Sequence, residues 1–358
     1  MSTSKNSRVY LKSKPGADHA PLVDNFVYEG CDLPSALTSG EIFIKTTYLS
    51  LDPAMRCRMN DDTGVEYMSP WQLGETIKGL GGVGEVTESN DPAFVKGDIV
   101  QAVMNWPWSK YFKTRTDDRM LPLTKVDAAL KENPQVVLSL LGITGLTSYL
   151  GIKERGHVTP GANQTLVVSA AAGACGNLAG QVAKLLGAHR VVGICGSDSK
   201  CSYLTSELGF DAAINYKTEN VPERLKEKCP EGISAYFDNV GGTLSEEVIK
   251  QMSQGSHVIL CGQIAVYNKD LPYPPPISEE IQNIIKDRNI TRERFLVLHF
   301  QDKFTAALKQ LQEWYISGKL KVPEYIHEGL ENAAEAFVNM MTSVKQEKVG
   351  KQMVHVDS

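Results

Sequence analysis

Short apolar runs alternate with amphipathic stretches through the middle of the chain. Between about residues 164 and 298 the apolar runs predict six buried strands, at 166–169, 190–195, 212–214, 234–238, 256–261 and 294–298. The stretches between them predict helices at 175–187, 199–208, 221–228 and 243–252. Regular alternation of strand and helix predicts an α/β fold with a doubly wound parallel sheet.

The two ends of the chain have a different pattern. Short alternating runs at 42–49, 82–87 and 98–104 are separated by Gly, Pro and Asp turns, which predicts a β-rich domain. After residue 300 the pattern predicts helices at 302–316 and 332–341 and a last strand at 351–356. Because the α/β unit is complete before residue 300, we expect residues 1–130 and 300–358 to form the β-rich domain and 131–299 the α/β domain.

The first strand of the α/β domain leads into a glycine turn. Residues 165–181 read TLVVSAAAGACGNLAGQ, with Gly173, Gly176 and Gly180 at the start of the predicted helix. A strand, a glycine turn and a helix start bring backbone N–H groups and the positive end of a helix dipole together, which suits a pyrophosphate. The spacing differs from the commoner Gly-x-Gly-x-x-Gly, so the motif alone is a weak signal.

The next strand end indicates which dinucleotide the domain binds. The run 190–195 is followed by Gly196, Ser197 and, after a helix start, Lys200. A cofactor without a 2′-phosphate usually meets an acidic residue here. Asp198 lies just beyond the strand and is equally suited to cap the following helix. A small residue with a lysine favours a phosphate, so the sequence predicts NADP(H) rather than NAD(H).

Composition narrows the class of partner and the compartment. The 358 residues are 42% apolar and 22% charged with a net charge of −5, and no stripe of Lys and Arg occurs, which argues against nucleic acid and membrane surfaces. No apolar run reaches the roughly 20 residues that span a bilayer. The seven cysteines are scattered without Cys-x-x-Cys pairs, which argues against disulfides and structural zinc. The start of the chain is basic, but RVYLK at 8–12 alternates like a first strand, and we expect a cytosolic protein.

Many ordered segments together resemble one family. They are LSLDPAMRCRMND (49–61), SPWQLGE (69–75), AAAGACGNLAGQ (170–181), VVGICGSDSKC (191–201), ELGFDAAINYK (207–217), YFDNVGG (236–242), LCGQIAVYNKDLPYPPP (260–276) and NITRERFLVL (289–298). The chain resembles the zinc-independent medium-chain dehydrogenases/reductases of the leukotriene B4 dehydrogenase/prostaglandin reductase group. The resemblance implies a Rossmann-type NADP-binding domain and a β-rich, GroES-like catalytic domain.

The residues that bind zinc in related alcohol dehydrogenases are missing. Those enzymes supply a cysteine and a Gly-His-Glu histidine, whereas the corresponding stretch here reads LGETIKGLGGVGEV (73–86). The lobe that holds structural zinc is also absent. Alcohol oxidation through a metal alkoxide is therefore disfavoured.

The chemistry that the resemblance implies is reduction of an enone by NADPH. Members of this group reduce the C13–C14 double bond of 15-keto prostaglandins to the 13,14-dihydro products. Negative charge then develops on the carbonyl oxygen and needs a hydrogen-bond donor. Tyr267 is our candidate for that catalytic donor, because a phenol stays protonated at neutral pH. The alternative is a loop tyrosine that only packs on the cofactor.

The resemblance also implies a set of binding residues. For the cofactor they are Gly173, Ala174, Cys175 and Gly176 at the pyrophosphate, Lys200 and Tyr216 at the 2′-phosphate, Asn239 at the nicotinamide half, Cys261, Gly262, Gln263, Ile264, Ala265, Val266 and Tyr267 along the ribose and nicotinamide, and Phe295, Leu296 and Val297 closing over it, with Lys348 approaching from the C-terminal turn. For the substrate they are Met104, Asn105, Leu296, Val297 and Leu298.

The chain departs from the family pattern at a few of these positions. The family motif DPYMR is DPAMR here, so Ala54 replaces an aromatic ring. Lys348 takes the place of an asparagine in the C-terminal turn, and Met104 and Asn105 replace an aromatic pair that contacts substrate. Because positions 54, 104 and 105 shape the substrate site in the family, we expect the enone preference of this chain to differ from that of its relatives.

Other functions fit parts of the sequence. A quinone or general alkenal/enone reductase would share the fold, and a non-catalytic NADPH-binding protein would keep the glycine turn without needing Tyr267. The proline-rich loop at 272–276 and the WPW segment at 106–108 favour a long apolar substrate, a lipid enone. Related enzymes can pair through the sixth strand, yet nothing in 294–298 requires it, so the sequence is compatible with a monomer and with a homodimer.

Activity is expected to survive strong chelators, because the sequence has no zinc constellation. The measurement is turnover before and after prolonged dialysis against EDTA, together with metal analysis of the purified protein. Stoichiometric zinc combined with loss of activity on chelation would contradict the expectation.

Overall fold

The computed structural model describes residues 6–342 and 347–356, which fall into two compact units. The β-rich unit comprises residues 6–138, 324–342 and 352–356. The Rossmann unit comprises 139–323 and 347–351.

Most of the observed strands and helices occur where the sequence pattern predicts them. The strands are β1 Asn6–Leu11, β2 Phe26–Cys31, β3 Glu41–Ser50, β4 Gly82–Ser89, β5 Ile99–Ala102, β6 Tyr111–Arg115, β7 Thr124–Lys125, β8 Thr165–Ser169, β9 Arg190–Cys195, β10 Ala212–Asn215, β11 Ile233–Asp238, β12 Met252–Leu260, β13 Thr291–Arg294, β14 Glu324–Glu328 and β15 Lys351–His355. The helices are α1 Val136–Ser139, α2 Ile143–Leu150, α3 Ala174–Leu185, α4 Asp198–Ser206, α5 Val221–Lys228, α6 Gly242–Ile249, α7 Glu279–Asp287, α8 Phe304–Ile316 and α9 Ala333–Thr342.

The Rossmann unit contains a six-stranded sheet in the order β10-β9-β8-β11-β12-β13, with every pair parallel. This is the strand order of dinucleotide-binding folds, and it confirms the predicted doubly wound sheet. The strand β8 is buried along its whole length, as expected for a parallel strand covered on both faces. The order reverses between β8 and β11, so ligands are expected at the carboxyl ends of these two strands.

Two of the three glycines in the turn region are required by packing within the protein. A Cβ on Gly176 would lie 2.4 Å from the carbonyl oxygen of Ala170, and one on Gly180 would lie 2.0 Å from the ring of Phe210. A Cβ on Gly173 would meet nothing closer than the Ala170 oxygen at 3.2 Å. Gly176 and Gly180 therefore let helix α3 approach its neighbours closely, while Gly173 is the glycine at the open helix start.

The sixth strand lies three residues earlier than predicted. The apolar run 294–298 predicted it, but β13 is Thr291–Arg294 and pairs with residues 257–260 of β12. Its TRER sequence is largely exposed because β13 is an edge strand, so it carries no apolar signal. The apolar residues after it leave the sheet where β12 ends at Leu260, and a 3-10 helix runs from Val297 to Lys303.

The β-rich unit is built around β3, which is paired with β4, β6 and β15. The order of its main sheet is β14-β15-β3-β4-β5-β7, and β1 and β2 form a separate antiparallel pair. This antiparallel arrangement confirms the predicted β-rich domain, which is the GroES-like part of the fold.

Trp106 and Trp108 of the WPW segment lie in the core of the β-rich unit. Both are 0% exposed, and Trp106 donates from its indole N–H to Thr46 Oγ1 at 3.1 Å. Gly82 makes room for Trp106, since a Cβ there would lie 2.1 Å from its ring, and Gly79 does the same for Trp108 at 2.5 Å. The expectation that this segment favours a long apolar substrate is therefore wrong, because these rings fill the core.

The domain boundary after residue 300 also differs from the expectation. Residues 300–323 belong to the Rossmann unit, where the ring of Trp314 in α8 packs 5.7 Å from the ring of Tyr149 in α2. Ala307 and Leu311 on the same helix are buried. The apolar face of α8 thus covers α2, and the chain returns to the β-rich unit only at Glu324.

Over the described ranges, no helix is both long and apolar enough to cross a membrane.

Substituting Gly180→Ala is expected to lower the free energy of unfolding by about 1–2 kcal/mol. Alanine gains about 1 kcal/mol of helix propensity, but overpacking against Phe210 costs about 1–3 kcal/mol, and the 2.0 Å approach puts this site at the upper end. Chemical denaturation measures the change, with Ser202→Ala on the exposed side of α4 as the control. A Gly180→Ala variant as stable as the parent would show that Phe210 moves aside without cost.

Candidate functional site

The candidate site lies at the carboxyl ends of β8, β11 and β12 in the Rossmann unit. The backbone N–H of Asn239, just after β11, donates to Ser169 Oγ at 3.0 Å, and the Asn239 side-chain amide donates to the Ser169 carbonyl at 2.7 Å. The N–H groups of Cys261 and Gly262, just after β12, donate to the Asp238 carbonyl at 3.0 Å each. Three strand ends are thus fixed to one another at the point where the strand order reverses.

The glycine turn has the geometry of an anion cradle. Gly173 is the N-cap of α3, and no side chain caps that helix. The first-turn N–H groups of Ala174, Cys175 and Gly176 therefore face the helix start without a competing side chain. The N–H of Gly350 donates to the Ala172 carbonyl at 2.8 Å, so the C-terminal segment that carries Lys348 runs along this turn. The contact of the Lys348 side chain with a cofactor stays a prediction.

Two lysines, Lys200 and Lys217, lie near the end of β9, with the Glu347 carboxylate close enough to act on Lys200 as well. Burial lowers the pKa of Lys200, and the neighbouring Lys217 lowers it further. Lys217 was not among the sequence-predicted residues, although its place directly after Tyr216 at a strand end was a signal. Lys200 is thus a partly desolvated cation that a second lysine repels, and a nearby anion such as a phosphate would stabilise it. Tyr216, which is 44% exposed, lies beside Gly196, where a Cβ would be 3.0 Å from its ring.

Asp198 has a structural partner. Its carboxylate accepts a hydrogen bond from the Asn215 side-chain amide at 2.7 Å, which ties the start of α4 to the end of β10. Ser197 caps α4 and accepts from the Lys200 N–H at 3.3 Å. The acid that directly follows β9 in the sequence is therefore engaged in joining two elements, which accords with the preference for a phosphate over a ribose diol.

A buried carboxylate that sequence reasoning missed organises the site. Asp238, the last residue of β11, is 0% exposed and accepts hydrogen bonds from several segments. The donors are Tyr236 Oη (2.9 Å), Val240 N (3.0 Å), Gly241 N (2.9 Å) and Ser169 Oγ (3.3 Å) to Oδ1, and Ser245 Oγ (2.7 Å) and Gln263 Nε2 (3.2 Å) to Oδ2. Burial and the nearby Asp238 charge raise the pKa of Tyr236 well above its usual value, so this phenol stays a donor. The available signal was an acid at the end of an otherwise apolar strand.

The loop after β12 holds Tyr267 through its own turn. The backbone N–H of Gln263 donates to the Tyr267 hydroxyl oxygen at 3.3 Å, and a 3-10 helix, Ile264–Val266, connects the two residues. The N–H groups of Ile264 and Ala265 donate to the carbonyls of residues 239 and 240 at 3.2 and 3.1 Å. The predicted residues 261–267 thus form one structured loop beside Asn239, with the Tyr267 oxygen fixed at its centre.

The proline-rich loop is anchored beside Tyr267. The ring of Tyr273 lies 6.3 Å from that of Tyr267, and the Arg294 guanidinium stacks over the Tyr273 ring at 4.9 Å. Cation–π stacking fixes the orientation of an aromatic ring. Leu271 in the same loop is 46% exposed, which gives the loop an apolar surface.

Residues 295–298 alternate between core and surface. Phe295 and Val297 are buried, and a Cβ on Gly151 would lie 3.4 Å from the Phe295 ring. Leu296 and Leu298 are half-buried. The buried side chains of Phe295 and Val297 therefore fill the core, and Leu296 and Leu298 are the better candidates for a ligand contact from this segment.

Met104 and Asn105 lie in the β-rich unit, where Asn105 already has partners. Its Oδ1 accepts from Arg58 Nη2 at 3.2 Å and its Nδ2 donates to the Met120 carbonyl at 2.8 Å. Arg56 and Arg58 of the DPAMRCR segment are buried and donate mainly to backbone carbonyls. This motif therefore secures loops of the unit. Whether Met104, Asn105 or Ala54 contacts substrate stays a prediction.

Four thiols of the Rossmann unit, those of Cys175, Cys195, Cys201 and Cys261, lie in or next to the segments of this site. Cys195 and Cys201 have their sulfurs 3.4 Å apart beside Lys200, and burial raises the pKa of both, that of Cys201 to about 12. A hydrogen bond with Cys175 and burial raise the pKa of Cys261 well above its usual value. All seven cysteines are free thiols.

Within the described ranges, no group of three or more His, Cys, Asp or Glu side chains is arranged to hold a metal ion.

Comparison with known proteins places the whole chain in one family. A family model described as the N-terminal domain of oxidoreductase matches residues 8–119, and one described as zinc-binding dehydrogenase matches residues 174–313. The chain is 32% identical to the NADPH-dependent curcumin reductase of Escherichia coli over 98% of this chain and 97% of the relative. It is 37% identical to prostaglandin reductase 1 of Rattus norvegicus over 93% of this chain and 94% of that protein.

A solved structure agrees with these matches. CurA from Vibrio vulnificus, in complex with NADPH, superposes with a TM-score of 0.86 at 30% identity, covering 98% of this chain and 99% of CurA. The identity and coverage of these relatives, together with the two units described above, establish that the chain belongs to the zinc-independent medium-chain dehydrogenase/reductase family, with a GroES-like unit and a Rossmann unit.

Proposed function

We propose that this chain is a cytosolic 15-oxoprostaglandin 13-reductase, which uses NADPH to reduce the C13–C14 double bond of 15-keto prostaglandins. The family membership and the similarity to prostaglandin reductase 1 support an NADPH-dependent enone reductase. Within the group, the ordered segments of the sequence resemble prostaglandin reductase 2, and the proposed substrate is taken from that resemblance.

The cofactor of the Rossmann unit is NADPH, and the residues present fit it. The uncapped start of α3 suits the pyrophosphate, and Gly173 leaves the backbone open to it. Lys200, whose pKa is lowered by burial and by Lys217, suits the 2′-phosphate. Cys261, Gly262 and Asn239 are expected to lie along the ribose and nicotinamide.

NADPH supplies a hydride when it is bound, and the protein must bind, orient and polarise the enone. The observation that carries the proposal is the hydrogen bond from the Gln263 N–H to the Tyr267 oxygen. It holds that oxygen in place, and a phenol that accepts one hydrogen bond can donate its own proton in another. Tyr267 then donates to the carbonyl oxygen of the enone, where negative charge develops. Because this donor is positioned before the reaction, little reorganisation is needed as the charge forms.

Support for an apolar substrate comes from accessible apolar side chains in the two segments that the resemblance assigns to the site. Leu271 in the proline-rich loop is exposed and Leu296 and Leu298 are half-buried, so these segments offer apolar side chains to an apolar chain. A general enone reductase would share these features. Parallel assays with a 15-keto prostaglandin, curcumin and a simple quinone separate the two, and a preference for curcumin or the quinone would overturn the prostaglandin assignment while leaving NADPH-dependent reduction in place.

Substituting Lys200→Ala is expected to weaken NADPH binding by about ten- to a hundred-fold and to leave NADH binding nearly unchanged. A charge-assisted contact of this kind is worth about 1.5–3 kcal/mol. Fluorescence titration with both cofactors measures the effect, and Lys184→Ala, which removes a lysine paired with Asp211, is the control. Equal losses for NADPH and NADH would show that Lys200 has another role.

Substituting Tyr267→Phe is expected to lower kcat by roughly a hundred-fold or more, because one oxyanion donor is typically worth about 2.7–4 kcal/mol. The ring and its packing near Tyr273 remain, so only the donor is lost. Steady-state kinetics with NADPH and a 15-keto prostaglandin separate this from a binding contact, which would raise KM and leave kcat unchanged. Parent-like turnover would identify another group as the donor.

A further inference from the structure

The side chain of Gln263 links the buried carboxylate of Asp238 to the loop that carries Tyr267. Gln263 is 1% exposed, and its Nε2 donates to Asp238 Oδ2 at 3.2 Å. Its own backbone N–H is the donor to the Tyr267 oxygen at 3.3 Å. One residue thus touches the buried charge with its side chain and the candidate catalytic hydroxyl with its main chain.

The Gln263 side chain passes so close to Gly241 that only glycine fits there. Gly241 has a φ of +74°, and a Cβ there would lie 2.0 Å from Gln263 Oε1. A residue other than glycine at 241 would therefore displace the Gln263 amide. The Gly241 N–H also donates to Asp238 Oδ1 at 2.9 Å, so the same turn that admits Gln263 is held by the same carboxylate.

The carboxylate itself has little freedom to move. Asp238 Oδ1 accepts from two backbone N–H groups at the start of α6 and from Tyr236, and Oδ2 accepts from Ser245 at 2.7 Å. A buried carboxylate that accepts hydrogen bonds from several donors has little freedom to move. The Gln263 amide therefore ties the Tyr267 loop to the end of β11, one residue before Asn239.

We propose that Gln263 is a positioning residue. By hydrogen-bonding to the immobile Asp238 carboxylate, it holds the Tyr267 hydroxyl in place and so affects kcat. It does this without contacting the cofactor or the substrate. This inference rests on the proposed role of Tyr267 as oxyanion donor. The resemblance implies that Gln263 lines the cofactor, whereas its side chain would here have a different role, that of holding the Tyr267 loop. A misplacement of about 1 Å costs on the order of a hundred-fold in rate, so a loop held less firmly lowers kcat.

The test replaces the amide by an apolar group of similar size, Gln263→Leu, with Gln251→Leu as the matched control. Gln251 is in the same unit and donates one side-chain hydrogen bond, to the Pro222 carbonyl at 2.9 Å, away from the site. Gln263→Leu is expected to lower kcat by roughly ten- to a hundred-fold, with the Kd for NADPH unchanged, while Gln251→Leu matches the parent. A raised Kd with unchanged kcat would overturn the inference and identify Gln263 as a cofactor contact.

A double-mutant cycle tests whether Gln263 acts through Tyr267. If it does, the double variant Gln263→Leu/Tyr267→Phe has the same kcat as Tyr267→Phe alone. If the two residues act independently, the two reductions in kcat multiply. An additional loss equal to that in the parent background would overturn the inference. Gln263→Met, which is closer in shape to glutamine, replaces Gln263→Leu in every arm if the leucine variant does not fold.

Amide hydrogen exchange gives a readout that needs no turnover. The peptide 261–267 is expected to exchange faster in Gln263→Leu than in the parent and in Gln251→Leu, because the hydrogen bond from residue 263 to Tyr267 opens more often. Unchanged exchange would overturn the positioning role. If the parent reduces no enone tested, the proposed function fails, and hydrogen exchange still decides whether Gln263 positions the loop.

Discussion

The site depends on a negative charge that is buried where the parallel sheet changes strand order. Removing a carboxylate from water is costly unless it is hydrogen-bonded, and the cost is offset only if donors surround it. At Asp238 those donors come from the ends of two strands, the start of α6 and the loop after β12. Satisfying one buried charge therefore fixes the relative positions of the segments that surround the nicotinamide half of the proposed site.

Glycines carry out two different tasks in this chain, and sequence spacing does not separate them. Gly173 lies at an open helix start, where a bound anion can approach the backbone. Gly176 and Gly180 accommodate a carbonyl and an aromatic ring of the protein itself. Gly79 and Gly82 accommodate the tryptophans of the β-rich core in the same way. A glycine pattern thus predicts that some group comes close to the glycine backbone, but it does not show whether that group belongs to the protein or to a ligand.

The sequence predicted those strands and helices whose hydrophobic pattern matches their burial in the folded protein. The strands β8 to β11 and the second half of β12 are largely buried, so they appear as apolar runs. The family resemblance is confirmed by the comparisons. The strand β13 was misplaced because an exposed edge strand has no such run. Helix α8 was assigned to the wrong unit because an apolar helix face does not indicate which surface it covers, here that of Tyr149 in α2. The Asp238 cluster draws on residues from 169 to 263, and no local signal joins them.

Burial of the thiols has a consequence for a protein that handles electrophiles. An enone is a Michael acceptor, and the species that adds to it is the thiolate rather than the thiol. Burial raises the pKa of Cys57, Cys195 and Cys201, and the pKa of Cys261 is raised by Cys175 and by burial. At neutral pH these four sulfurs are thiols, which add to an activated alkene far more slowly than thiolates do. The packing that buries these side chains thereby also makes the same four sulfurs less reactive toward the class of compound that the protein is proposed to reduce.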